Sequence, residues 1–200
     1  MTHDAAPTRR RILVTTMAAG AALGTGDLGT AFAQGLAPTP ECRDGDEPTA
    51  RQGEGPFYKP RSPQRADLRE AGMRGRAVEL SGTVVTRACR PVAGALVDLW
   101  HADAEGDYDN DGFRCRGHVF ADAQGRFRFL TILPAAYPGR TRHFHVKVQA
   151  PRRPVLTTQL YFPGEAENRR DPMFRRELLM RTAAAGDGLA ARFDFVLDMR

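Results

Sequence analysis

Two histidines separated by one residue, His143 and His145, are the first feature of the sequence that could bind a metal ion. On a β-strand, residues i and i+2 point to the same face, about 6–7 Å apart along the chain, so both imidazoles can reach one ion. Alone the pair is a weak signal, since such histidines are more often exposed or packed in a core. His101 and His118 lie on other predicted strands, and we interpret both as structural or exposed rather than as ligands.

Tyrosine supplies a second set of candidate ligands. Tyr108 and Tyr137 each occupy a loop just after a predicted strand, and Tyr137 shortly precedes His143. A phenol normally ionises near pH 10, about three units above neutrality, but a bound trivalent ion lowers that pKa strongly. Two phenolates and two neutral imidazoles would leave Fe(III) with one net positive charge and stabilise the ferric state. A single loop tyrosine is more often a surface ring, so the argument depends on the whole set.

The elements that must position these residues are short strands separated by turns. Their spacing predicts an all-β fold, an antiparallel β-sandwich over residues 76–200, with one short helix near residues 172–180. Residues 34–75 are rich in Pro, Gly and charge without a sustained period, so we expect an extended N-terminal arm laid over the domain. The predicted strands are 78–85, 95–100, 115–120, 126–130, 143–148, 156–162 and 193–197.

The first 33 residues have the pattern of an export signal. Paired arginines within residues 9–11 precede a weakly apolar stretch rich in Ala and Gly, and residues 31–33 (AFA) form a small-x-small cleavage site. The pattern predicts a twin-arginine-type signal peptide and a mature protein that is periplasmic or extracellular. A basic tail before a core helix is the alternative, which the many glycines disfavour.

Composition argues against two other classes of protein. No apolar run reaches the roughly 20 residues that a membrane span needs. The formal net charge is +5, but the arginines alternate with acids, as in residues 169–171 and 175–177. We interpret these residues as a solvated surface, because a nucleic-acid binder would cluster its basic residues on one face.

Several segments together resemble the intradiol ring-cleavage dioxygenases. The resemblance runs from about residue 53 to residue 162 in the expected order and strand context, and the set is far more specific than any one motif. The chain lacks the helical N-terminal pattern of catechol 1,2-dioxygenases and is more similar to the protocatechuate 3,4-dioxygenase type, including its exported single-chain relatives. The matching segments are 53–58 (GEGPFY), 91–103 (PVAGALVDLWHAD), Tyr108, Tyr137, Arg140, 143–145 (HFH) and 157–162 (TTQLYF).

The resemblance implies roles for individual residues. Arg140 matches the arginine that stabilises charge developing on the substrate, and Gln159 matches the glutamine that partners it. Tyr137 matches the ligand that substrate displaces and that then accepts a proton. Pro56, with Tyr58 beside it, matches the wall of the substrate pocket. One non-haem Fe(III) ion per chain is implied, with the ligands Tyr108, Tyr137, His143 and His145.

The implied activity opens a catechol-type aromatic ring between its two hydroxyls with O2 and gives a muconate-type diacid. The implied partners are the catechol and O2, with no nucleic acid and no membrane span, and a homo-oligomer is left open. One departure concerns Tyr137 and Arg140, which only two residues separate, where better-known members have a longer insertion that helps to shape the pocket. The identity of the catechol is therefore open.

Two other interpretations remain. A non-enzymatic, transthyretin-like β-sandwich binding module explains the turns within residues 91–129, but it needs neither the loop tyrosines nor the His-x-His pair. A zinc or copper site on His143 and His145 is the second alternative. A red-brown phenolate-to-iron charge-transfer band would distinguish the iron enzyme from both, since the zinc protein would be colourless and the copper protein blue.

The cysteine count is odd, and the absence of a Cys-x-x-Cys motif excludes a zinc ribbon. In an oxidising compartment we expect one disulfide and one free thiol. We predict the pair Cys42–Cys89, because a tether near its start would hold the arm. Cys115 lies within a predicted strand, where a reduced cysteine packs as a small apolar group. Three free thiols are the alternative.

Overall fold

The computed structural model describes residues 47–200, whose regular secondary structure is almost all β-strand. Because apolar residues alternate with polar ones along most of these segments, each strand can bury one face. The strands are β1 (Ala77–Thr86), β2 (Leu96–Trp100), β3 (Arg116–Phe120), β4 (Arg126–Ile132), β5 (His143–Gln149), β6 (Leu156–Tyr161), β7 (Arg181–Ala185), β8 (Gly188–Arg192) and β9 (Phe195–Leu197).

The strands form two sheets. One has the order β4-β1-β8-β7, with β9 also pairing with β1, and the other has the order β3-β2-β5-β6. The four-stranded sheet is antiparallel throughout. In the other sheet, β1 pairs in parallel with β8 and with β9, whereas the β1–β4 and β7–β8 pairs are antiparallel. The predicted β-sandwich is confirmed, and one of its sheets is mixed.

The inner faces of the two sheets share one apolar core. Strand β1 buries every second residue, as a half-covered strand should. Strand β5 differs, because His143 to Val146 are all buried, on both faces of the sheet. Something other than the second sheet must therefore cover the outer face of the four-stranded sheet. Core residues of the two sheets include Val78, Leu80, Phe129, Ala191, Val97, Leu99, Phe144, Val146 and Leu160.

The arm supplies that cover. Residues 47–76 contain no strand and attach to the domain through single backbone hydrogen bonds and isolated bridges. The Gln52 amide donates to the Thr157 carbonyl at 2.8 Å, and the His118 amide donates to the Pro63 carbonyl at 3.0 Å. Leu68 is fully buried and anchors the far end of the segment. Residues 47–76 thus lie over the outer face of the four-stranded sheet.

Two elements differ from prediction. The predicted helix near residues 172–180 is only a 3-10 turn at Arg176–Leu178, and a second turn occupies Ala166–Arg169. The hairpin of β7 and β8 was not predicted, because its alanines have low strand propensity. Its two-residue connection, Gly186-Asp187, is a hairpin signal that sequence reasoning could have used. Gly186 has a φ of 55°, which the tight turn requires.

Several sequence predictions fall wholly or partly outside the described residues. The signal peptide of residues 1–33, residues 34–46 of the arm, and Cys42 all lie there. Cys89 is disulfide-bonded, and Cys115 is a buried free thiol as predicted. The pairing of Cys89 with Cys42 stays a prediction. Within residues 47–200, no helix has the length and apolar character needed to cross a membrane.

Candidate metal and catalytic site

The candidate site lies at one end of the outer face of the four-stranded sheet. Strand pairing places one residue from each strand side by side there, and we call these four residues the site row. A second set lies two residues further along the same strands, and we call it the neighbour row. The site row is Arg116, Trp100, His145 and Gln159, and the neighbour row is His118, Asp98, Lys147 and Thr157.

The two histidines of β5 converge beside the site row. Their side chains point outward because Phe144 between them packs in the core. The Nε2 atoms of His143 and His145 are 3.1 Å apart, and Nδ1 of His143 donates to the Thr141 carbonyl at 2.6 Å. This hydrogen bond leaves the lone pair of His143 on Nε2. Burial lowers the pKa of His143 to about 4 and that of His145 well below its usual value, so both rings are neutral.

The two predicted tyrosines meet the histidines from loops. The ring centroid of Tyr108 lies 5.9 Å from that of Tyr137 and 6.0 Å from that of His145. The ring centroid of Tyr137 lies 5.7 Å from that of His143. The two loops are joined, because the Ala135 amide donates to the Asp103 carbonyl at 2.9 Å. Burial and the neighbouring Tyr137 raise the pKa of Tyr108 in the absence of a cation.

The short Tyr137–Arg140 segment is a tight turn. Pro138 and Gly139 occupy its centre, Gly139 has a φ of 80°, and the Arg140 amide donates to the Tyr137 carbonyl at 2.9 Å. Proline followed by a glycine of positive φ is typical of a type II turn. The turn brings the two side chains together, with Nη1 of Arg140 at 3.4 Å from the Tyr137 hydroxyl.

Arg140 is fixed on its other two nitrogens. Its Nη2 donates to Gln159 Oε1 at 2.5 Å, and its Nε donates to Asp171 Oδ2 at 3.0 Å. Burial lowers the pKa of Arg140, but the hydrogen bond to Asp171 and nearby Tyr137 outweigh that effect and raise it. The Nε2 group of Gln159 donates to the Gly53 carbonyl of the arm at 3.1 Å.

The arm lies against the candidate ligands. Gly55 has a φ of 73°, and a Cβ there would lie 3.3 Å from Cε1 of His145. Phe57 stacks on Tyr108 with ring centroids 4.4 Å apart. Pro56, between these two residues, is therefore held over the site and is exposed. Tyr58 lies further away, with its ring 4.9 Å from that of Trp100 and 4.3 Å from Lys147 Nζ.

Sequence analysis missed two charged residues of this region. Asp171, interpreted above as part of a solvated surface, has a fully buried side chain because Arg140 and the Thr141 amide both donate to it. Arg116 is 1% exposed, and its guanidinium carbon lies 6.0 Å from the Tyr108 ring centroid. It donates to the carbonyls of Phe57 and Asp109 and so ties the arm to the Tyr108 loop. The sequence marks Arg116 only as a charged residue in a strand.

The other two histidines considered lie outside the site, as expected. His101 is buried, and its two ring nitrogens contact the Ala102 carbonyl at 2.7 Å and the Thr131 hydroxyl at 2.6 Å. Burial lowers its pKa to about 4. His118 belongs to the neighbour row and contacts the Ser62 hydroxyl at 3.1 Å.

Unsatisfied polar atoms test whether these residues fit a metal ion. Native proteins leave few buried polar atoms without a partner, yet four such atoms surround the site. They are Tyr108 Oη, His145 Nδ1, Trp100 Nε1 and Arg116 Nη2. Of these, only the Tyr108 oxygen is a candidate metal ligand, because Trp100 and Arg116 present N–H donors and His145 faces His143 with Nε2 rather than Nδ1. Within residues 47–200, no group of three or more His, Cys, Asp and Glu side chains could hold a metal. Two converging imidazoles and two phenols nevertheless form a donor set that fits one hard trivalent ion such as Fe(III).

Comparison with known proteins gives a family match over most of the chain. The family model described as "Dioxygenase" matches residues 53–199. The β chain of protocatechuate 3,4-dioxygenase from Burkholderia cepacia is 33% identical over an alignment of 152 positions, covering 62% of this chain and 65% of that protein. The 6-chlorohydroxyquinol 1,2-dioxygenase of Cupriavidus pinatubonensis is 31% identical, covering 72% of this chain and 62% of that one. The chain thus spans under two thirds of these relatives' length.

Solved structures agree with this match. The dioxygenase domain of a dioxygenase–carbohydrate-binding protein fusion from Streptomyces sp. SirexAA-E is 53% identical, with a TM-score of 0.75. The match covers 77% of this chain and 100% of that domain. The 3-chlorocatechol 1,2-dioxygenase of Rhodococcus opacus 1CP is 26% identical, with a TM-score of 0.70, and the match covers 76% of this chain and 74% of that one. Sequence, fold and site together show that the chain belongs to the intradiol ring-cleavage dioxygenase family.

Proposed function

We propose that the protein is a non-haem Fe(III) dioxygenase that opens a catechol-type ring between its two hydroxyls with O2, giving a muconate-type diacid. The observation that carries the proposal is the convergence of the two Nε2 atoms, 3.1 Å apart, with the rings of Tyr108 and Tyr137 beside them. The names of the relatives, which specify protocatechuate, chlorohydroxyquinol and chlorocatechol, support a catechol-type substrate.

Iron would be held by His143 and His145 through Nε2 and by Tyr108 and Tyr137 through their phenol oxygens. When bound, it would supply a Lewis-acid centre that binds the two oxygens of a catechol and favours their ionisation. The buried hydroxyl of Tyr108 has no hydrogen bond of good geometry, which is consistent with this role, because a bound cation would satisfy the oxygen.

The protein's own groups would manage charge and protons around the substrate. The Arg140 guanidinium lies where a substrate beside Tyr137 would become anionic, and its contacts with Gln159 and Asp171 hold it there before the reaction. The phenol oxygen of Tyr137, which would be deprotonated when it holds iron, is the candidate acceptor for a catechol proton. Pro138 and Gly139 next to it are exposed, so the turn has room to move when Tyr137 leaves its ligand position.

Substrate access is expected at the Tyr137–Arg140 turn. A cleft of about 390 Å³ opens there, with Glu167 and Arg170 on its other side. Gly55 and Phe57 of the arm cover His145 and Tyr108 and keep water away from them. Shielding from water strengthens the interaction of Arg140 with developing negative charge.

The decisive experiment measures O2 uptake by iron-loaded protein with catechol, protocatechuate, hydroxyquinol and chlorocatechol, each followed by product analysis. We expect a red-brown holoprotein with about one ferric ion per chain, and a ring-opened diacid that contains both atoms of O2. Zinc-loaded protein is the control and should be colourless and inactive. An iron-loaded protein without a visible band, or without activity on any catechol, would contradict the proposal.

We further propose that the protein works after export, on the basis of the twin-arginine pattern and the AFA site at residues 31–33. The test is the mass of the mature protein isolated from the periplasm or culture medium. Its N-terminus should be Gln34. Intact protein that remains in the cytoplasm would contradict the export proposal and leave the proposed reaction untouched.

A further inference from the structure

One buried carboxylate, that of Asp171, lies beside the site without belonging to the candidate metal ligands. Asp171 follows the 3-10 turn at Ala166–Arg169, and its side chain has no exposed surface. Burying a charge is costly unless it is fully paired. Asp171 accepts three hydrogen bonds, two of them on Oδ2, from Arg140 Nε and the Thr141 amide, both at 3.0 Å. The third, from the Met173 amide to Oδ1, measures 2.8 Å.

Thr141 extends this network to a candidate metal ligand. Its amide is held by Asp171, while its carbonyl accepts the hydrogen bond from Nδ1 of His143 at 2.6 Å. Its hydroxyl donates to Asn168 at 2.8 Å, so the whole residue is buried and fixed. One carboxylate therefore contacts Arg140 directly and reaches His143 through a single residue.

We propose that Asp171 is a positioning residue that sets the Arg140 guanidinium and the His143 ring together; its effect on turnover rests on the proposed function. Asp171 and Gln159 hold two nitrogens of the Arg140 fork, which directs the third toward the Tyr137 hydroxyl. Without the carboxylate, the guanidinium can rotate away. The backbone that fixes the His143 ring would also lose its anchor at Thr141.

The test compares two carboxylates that pair with arginine, each exchanged for an amide of the same shape. Asp171→Asn should lower kcat by about 10–100-fold, the usual effect of removing a group that orients a metal ligand or its partner, with little change in KM. It should also lose iron faster to a chelator, as followed by decay of the charge-transfer band. Asp194→Asn is the control, because Asp194 is 12% exposed and pairs with Arg181 and Arg192 in the other sheet. It should match the wild type in both assays.

A double-mutant cycle with Arg140→Ala separates the effect of Asp171 on Arg140 from its effect on His143. If Asp171 acts on turnover through Arg140, Asp171→Asn should lower kcat little further once Arg140 is gone. Faster iron loss should persist in that background, since it depends on Thr141 and His143. Equal decreases of kcat in both backgrounds, or wild-type kcat and iron retention in Asp171→Asn, would overturn the proposal.

If Asp171→Asn does not fold, Asp171→Glu takes its place, because it keeps the charge and moves the carboxylate by one methylene. A folded Asp171→Glu protein should also show reduced kcat, and wild-type turnover would refute the positioning role. Absence of turnover in the wild-type holoprotein would contradict the proposed function instead. The chelator assay needs no turnover, so it still decides whether Asp171 supports His143.

Discussion

The site row and the neighbour row lie on the same sheet face, two residues apart along each strand, yet they differ in how their polar groups are satisfied. In the neighbour row, Ser62 of the arm donates to Asp98 at 2.8 Å, and Lys147 pairs with Glu54 at 2.5 Å. In the site row, Trp100, Arg116 and His145 each keep a buried polar atom without a partner.

The difference shows in which row the protein's own groups pair the buried polar atoms. The arm closes over the neighbour row with side chains that match its charges, so that row fixes the arm to the sheet. Over the site row the arm presents Gly55, Pro56 and Phe57, which have no polar side chains. Because unpaired buried groups are costly, the free N–H donors of Trp100 and Arg116 make the site row the place where a ligand with acceptor oxygens has most to add.

The largest expected effect is that a substitution in the site row removes iron, whereas a substitution in the neighbour row does not. His145→Ala removes one of the two imidazoles and should abolish stoichiometric iron and the charge-transfer band. Lys147→Met, on the same face of β5 two residues away, should keep both. Iron content per chain and the visible spectrum measure this directly. Equal iron loss in the two variants would erase the distinction between the rows.

A second test asks whether an arginine beside the site row serves turnover rather than iron binding. Arg140→Ala should reduce kcat by about 10²–10³-fold, the usual cost of losing one preorganised stabilising group, while iron content stays near the wild-type level. Arg128→Ala is the control, because Arg128 lies on β4 of the other sheet and pairs with Glu79 at 2.7 Å. Wild-type turnover in Arg140→Ala would contradict its assignment to the site.

A smaller effect is expected where the arm touches the site row. Gly55→Ala places a methyl 3.3 Å from His145 Cε1 at a residue with positive φ. The backbone strain alone should lower the free energy of unfolding by about 1–2 kcal/mol, and the displaced imidazole should bind iron more weakly. Gly53→Ala is the control, since a Cβ there meets nothing within 4 Å. Denaturant unfolding measures the backbone strain, and iron titration measures the contact with His145. Equal iron affinity in the two variants would show that the arm does not press on His145.

The smallest effect concerns pH and the neighbour row. Burial raises the pKa of Asp98, with Ser62, Tyr58, His118 and Lys147 facing it. The folded state therefore retains the Asp98 proton to higher pH than the unfolded chain. The contribution of Asp98 to stability should fall as the pH rises from the unfolded pKa of 3.8 through the folded one, then level off. Asp98→Asn should lack this part of the pH dependence in unfolding measured from pH 4 to 7, and identical profiles would contradict the assignment.

Much of the site could be predicted because its donors have recognisable residue types and local spacing. His143 and His145 share a face in any strand, and Pro138-Gly139 specifies the turn that joins Tyr137 to Arg140. Asp171 could not be found in this way. It looks like any acid in an alternating charged surface, and it becomes buried only because the segment after β6 folds back to Arg140.

The sequence by itself determined seven of the nine strands, the candidate donors and the Pro138-Gly139 turn, since these depend on period-two alternation and on local backbone preference. Only the tertiary structure decided which residues of different strands share a row, which acid holds Arg140, and that Arg116 links the arm to the Tyr108 loop. Such contacts join segments far apart in the chain, and their energies come from burial and pairing, which no short stretch of sequence encodes.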